Sequence, residues 1–183
     1  MPDDGSTMHI QSGVHIDTGR GICVLEWGDV RAMLEVPRVH DTAHALHTAA
    51  TRAEDDIALI NTLRDTGMDM TTAVRVLADV RAARGPIPGR PALRVDVVAG
   101  ANTGLPFVHI ARGRMEAALT PDMAREEATR WTECAVASQF DARLRYVLGD
   151  YPQLTDLDVD RIFTDLRRAS GQTTTTQPKE TPP

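Results

Sequence analysis

Three imidazoles, His40, His44 and His47, follow one another at spacings of four and three residues, with Asp41 among them. On a helix that spacing sets them along one flank, and neutral imidazoles one turn apart can chelate a divalent metal. The residues 85 positions further on are Arg125, Thr129 and Thr132, none of which is a metal ligand. The flank is therefore expected to be a solvated helix face, with a metal site as the sharper alternative.

A second set of chemistry-bearing residues recurs at the same separation. Asp56 is matched by Asp141, and, one residue further out of step, Arg75 by Arg161, Asp79 by Asp165 and Arg81 by Arg167. Matched acids can do general acid and base work when a cleft brings them together. The plainer expectation is structural: Asp56 braces a helix pair through Arg75 or Arg81, and Asp141 does so through Arg161 or Arg167. Cys23 and Cys134 are too few for a disulfide framework and have no activating neighbour in the sequence, so each is expected to act as a small apolar side chain. Gly19-Arg20-Gly21 and the stretch Gly85 to Gly89 lack the strand, GxGxxG and helix context of a nucleotide loop, so no cofactor is expected. An enzymatic role is left open, with the balance against it.

The elements that must position these residues follow from composition and punctuation. The 183 residues are 42% apolar and 25% charged, with a net charge of -6. The positive charge is almost all arginine, since Lys179 is the only lysine, and neither half is basic. That balance argues against a dedicated nucleic-acid binder, which normally shows a basic patch. No long apolar run suggests a membrane span or a secretory leader, and the expected location is the cytoplasm.

Residues 1–12 and the Thr/Pro-rich residues 172–183 read as disordered tails. Residues 85–92 contain three prolines and two glycines, which exclude helix and central strand and make a semi-rigid linker. Sliding residues 93–171 over residues 13–84 pairs Gly28 with Gly113, Leu34 with Leu119, Leu59 with Leu144 and Leu63 with Leu148. After one inserted residue the register continues through Gly85 and Gly171. The expected fold is therefore α+β, an internal duplication of two β-β-β-α-α units related by a pseudo-twofold. The halves are expected to join their sheets edge to edge or to pool their helices.

Within each unit, Val14 to Ile16 with Cys23 to Trp27, and Leu93 to Val98 with Pro106 to Ala111, predict hairpins. Alternation at Val30, Ala32 and Leu34, and at Met115, Ala117 and Leu119, predicts a third strand. A long helix follows, with the stripe Val39, Ala43, Leu46, Ala50, Ala53, Ile57 and Ile60 in one copy and Ala124, Ala128, Trp131, Ala135, Ser138 and Ala142 in the other. Thr120-Pro121-Asp122 supplies a start signal for the second long helix. Shorter helices are predicted over Thr71–Arg84 and Asp156–Arg168.

The arginine usage and the helix start Leu119-Thr-Pro-Asp-Met-Ala-Arg125 resemble uncharacterised small proteins of actinobacteria and their phages, a resemblance that implies no activity. A three-stranded meander followed by helices also resembles, in architecture, the DNA-binding modules of integrase arms and plant-type transcription factors. That resemblance implies nucleic-acid contacts through Arg20, Arg31, Arg94, Arg112 and Arg114. The favoured expectation is a non-enzymatic interaction module, an adaptor or regulator that binds another protein, or itself, through its helices. Its expected surface is Phe140, Leu144 and Trp131, because Phe140 stands where the first copy has Asp55. A small metal-dependent or acid/base enzyme between the repeats is the remaining alternative.

Overall fold

A computed structural model describes residues 7–15, 17–99 and 105–173. The elements run in the order β1 (Met8–Val14), β2 (Gly21–Trp27), β3 (Val30–Glu35), α1 (Val36–Asp65), α2 (Met70–Arg84), β4 (Arg94–Ala99), β5 (Pro106–Arg112), β6 (Met115–Leu119), α3 (Pro121–Gly149) and α4 (Asp156–Thr173). The fold is α+β, with two separate three-stranded antiparallel meanders, β1-β2-β3 and β4-β5-β6. Of the two arrangements expected, the sheets are not joined edge to edge among the described residues, and the long helices α1 and α3 pack on each other.

Residues 8–12, expected to belong to a tail, form most of β1. Met8 pairs with Trp27 and Ile10 with Leu25, and both Met8 and Ile10 pack on the core while His9 and Gln11 face outward. The alternation Met-His-Ile-Gln is a strand signal of period two. At the other end, α4 continues to Thr173, past the expected stop at Arg168. The loop Gly100 to Gly104 and the tail beyond Thr173 lie outside the described residues.

The decisive step in the topology is the absence of a loop between β3 and α1. Glu35 ends the strand and caps the helix, and Pro37 sits in the first turn. At the second junction Thr120 alone stands between β6 and α3, its hydroxyl accepting from the Met123 amide. Reversing direction onto a sheet ordinarily takes a connection of about 2–6 residues. Without one, each long helix runs on past its own sheet and is covered chiefly by the other: β1 and β2 lie on α3, and β4 and β5 lie on α1.

That crossing produces one core. Leu25, Trp27, Leu34, Leu46, Val108, Ile110 and Trp131 belong to the same buried cluster, together with the alanines of both long helices. Small side chains let the backbones approach closely. At Gly21 a Cβ would sit 2.5 Å from the Ser138 carbonyl oxygen, so only glycine fits where β2 meets α3.

The Pro/Gly linker is tied down along α1. The Gly85 carbonyl accepts from Arg52 (2.9 Å), the Arg90 amide donates to Asp41 (2.8 Å), the Pro91 carbonyl accepts from Arg38 (3.3 Å), and the Ala92 amide donates to the buried Thr42 hydroxyl (2.7 Å). From Arg52 back to Arg38 is about 21 Å of helix. The six steps from Gly85 to Pro91 cover about 20 Å when extended. The linker is thus as straight as its length requires, and its prolines hold it so. Gly85 (φ +69°) and Gly89 (φ +106°) both take positive φ, the second directly against Asp41.

Candidate functional site

The densest charged cluster lies where α1, α2, the linker and β4 meet. Asp56 on α1 is 1% exposed. Its Oδ2 accepts from Arg81 Nε at 2.7 Å and its Oδ1 from Arg84 Nη1 at 2.7 Å, so one carboxylate joins two arginines of α2. Arg84 also lies 3.7 Å from the exposed Asp55. The side chains meet because Asp56 occupies the buried side of α1 and Arg81 and Arg84 are one turn apart on α2. Arg52, one turn before Asp56, is held by the Gly85 carbonyl. Beside this cluster is a cavity of about 330 Å³, walled by Ala45, Pro86, Ile87, Pro91, Val95 and Val97 and by the polar side chains of Arg52, Asp56, Arg81, Arg84, Arg94 and Asp96.

The other members of the sequence-derived bracing set are placed differently. Arg75 is exposed on α2. Asp141 is half-buried and accepts from the Ser12 hydroxyl of β1 at 3.3 Å, so its partner here is a strand rather than a helix. Arg161 is exposed on α4 near Asp158, whose carboxyl is held below its ordinary range by the Thr155 hydroxyl and amide first and by Arg161 last. The Arg167 side chain lies outside the described residues. Sequence matching thus brings Asp56 to Arg81 but overlooks Arg84 and Arg52, which helical spacing of three and four residues identifies.

His40, His44 and His47 are all exposed and flank a shallow groove between α1 and α3, with Ala128, Thr129, Thr132 and Glu133 opposite. Among the described residues no group of three His, Cys, Asp or Glu side chains is placed to hold a metal ion. The three histidines thus lie on an exposed helix flank.

The strand arginines are divided between the two sheets. Arg31 pairs with Glu26 at 3.2 Å, Arg94 pairs with Asp96 at 3.2 Å, and Arg112 donates to the Ala92 carbonyl at 2.5 Å. Burial, and then the charge of Arg38, hold the Arg112 guanidinium below its ordinary range. Arg20 and Arg114 are exposed in separate hairpin turns.

Of the expected interaction surface, Trp131 is fully buried and belongs to the core, a correction that its place on the alanine stripe already implies. Leu144 is half-buried. Phe140 is 63% exposed, so α4 does not cover it. With it stand Val136 (56%) and Val147 (50%), at spacings of four and seven on one face of α3, and Tyr146 (75%) beside them. Positions 51, 55, 61 and 62 of α1, earlier by 85, are Thr51, Asp55, Asn61 and Thr62.

The two cysteines, far apart in the sequence, meet between β2 and α3. Their thiols hydrogen-bond and Ser138 is close by; the bond to Cys23, and then burial, push the Cys134 thiol well above its ordinary range. No periodicity predicts that contact, because it depends on the crossed packing of sheet and helix.

Comparison with known protein families, curated proteins and solved structures finds no match.

Proposed function

We propose that this protein is a non-enzymatic interaction module, an adaptor or regulator, that binds another protein through the outer face of α3. The observation that carries this reading is the exposed stripe Val136, Phe140 and Val147. Its ends are eleven residue steps apart, about 16 Å, the length of three turns of a docked helix. Monomer surfaces rarely leave aromatic and branched residues lined up in this way.

The reading takes residues 13–84 and 93–171 as copies of one β-β-β-α-α unit, arranged about a pseudo-twofold. On that view the stripe is not required by the shared fold, since Thr51, Asp55 and Thr62 serve at the same places in the other copy. Near the middle of the stripe Arg143 is exposed. A second copy laid antiparallel on the same face would bring arginine near arginine, so the favoured partner is a different chain: an amphipathic helix with apolar anchors and a carboxylate opposite Arg143.

Photo-crosslinking residues placed singly at 136, 140, 147, 51 and 55 test this in the native host. The expected result is one partner captured from 136, 140 and 147 but not from 51 or 55, with capture weakened by Arg143→Glu. Equal capture from both helices, or none from α3, would overturn it.

A further inference from the structure

We infer that the cavity between α1, α2, the linker and β4 binds the phosphoryl group of a small phosphate monoester. The lining contains four arginines, Arg52, Arg81, Arg84 and Arg94, against two carboxylates, Asp56 and Asp96. Asp56 is shared by Arg81 and Arg84, and Asp96 is engaged by Arg94. Among the described residues Arg52 has only a carbonyl as partner, and Arg81 Nη2 is buried with no hydrogen-bond partner. With Asp55 also engaging Arg84, four arginines face three carboxylates, and one positive charge is left over, inside a chain whose net charge is -6.

A concentrated positive field in a partly enclosed, low-dielectric recess matches a compact dianion. Arginine forks match phosphoryl oxygens in pairs. The remaining wall, Ala45, Ile87, Val95 and Val97, is apolar and suits a short carbon skeleton rather than a second charge. A volume of about 330 Å³ limits the ligand to a small metabolite.

Pairing and position identify Arg52 as the residue to change. It takes no part in holding Asp56, and Arg52→Gln removes the charge while keeping a polar side chain. Inorganic phosphate and glycerol phosphate are titrated against the full chain, with sodium chloride at matched ionic strength and succinate as controls. The readouts are thermal unfolding and phosphorus NMR line width. The expected result is a melting temperature raised by several degrees at saturating phosphate, more by glycerol phosphate than by the inorganic ion. Arg52→Gln, melting as a folded protein, should bind at least about tenfold more weakly, and Arg130→Gln, outside the cavity, should bind as wild type. An equal shift in chloride, succinate binding as well as phosphate, or unchanged binding by Arg52→Gln would overturn the assignment.

Discussion

Two grooves, each formed where an edge strand lies along a long helix, make an instructive pair. One runs between β4 and α1 and the other between β1 and α3, and their strands start 86 residues apart. The first is closed by α2 and the linker and gathers Arg52, Asp56, Arg81, Arg84, Arg94 and Asp96. The second contains His9, Glu127, Arg130 and Glu133, with Met8, Ile10, Trp131 and Cys134. Similar backbone geometry thus supports a cationic recess on one side and a weakly acidic one on the other. The acid on the helix shows the difference: two arginines saturate Asp56, whereas Asp141 receives one hydroxyl. Architecture sets where the grooves lie, and a few side chains set their chemistry.

The largest expected effect compares those acids directly. Asp56→Ala leaves Arg81 without its carboxylate and Arg84 with only the exposed Asp55, and should cost about 2–4 kcal/mol, somewhat under the value for a fully buried pair. Asp141→Ala removes one half-exposed hydrogen bond and should cost about 1 kcal/mol or less. Urea unfolding of both variants decides the matter, and equal losses would remove the distinction between the two grooves.

A smaller effect concerns how closely strand and helix approach. Gly21→Ala places a methyl group against the Ser138 carbonyl and should cost about 1–3 kcal/mol through overpacking. Gly13→Ala, whose Cβ would make an ordinary contact 3.7 Å from Ile22, should be nearly silent in the same assay. A tolerated Gly21→Ala would mean that β2 can lift from α3.

Finer still is a pH dependence confined to the acidic groove. Burial raises the Glu127 carboxyl above its ordinary range, against the opposing pull of Arg130, which it meets at 2.5 Å. A folded-state value above the unfolded one means that the native chain holds this proton more tightly. The group's favourable contribution is complete below the unfolded value and is lost as pH rises through the folded one. Relative to wild type, Glu127→Gln should therefore gain stability as pH is raised through the carboxylate range, measured by denaturation at successive pH values. A stability difference that is flat with pH would show Glu127 to be solvated. The mildest test is chemical: Cys23 and Cys134 should resist a thiol reagent at neutral pH and react together on unfolding.

Much of the backbone is legible in the sequence because its signals are local. Thr120-Pro121 starts α3, Thr155 and Asp158 form a reciprocal cap at the head of α4, and alternation marks β3 and β6. The crossing of sheets and helices is not local, and it decides which side chains meet. Cys23 finds Cys134, Ser12 finds Asp141 and Glu54 of α1 grips Arg125 of α3 with both carboxylate oxygens, contacts that no spacing rule reaches. Even the linker, legible as extended, gains its path only from Thr42, Asp41, Arg38 and Arg52 on the helix beneath it.

The loop-free passage from β3 into α1 also has a consequence for the order of events during synthesis. When Trp27 has left the ribosome, the helix that will cover β2 is still unmade, since Ser138 lies more than a hundred residues downstream. At elongation rates of about 5–20 residues per second the first meander waits roughly 5–20 s with its apolar side open. Its contacts, once made, join segments of high sequence separation, which slows their formation further. The first meander therefore stays uncovered longer during synthesis than the second, which emerges when α1 and the first sheet are already made.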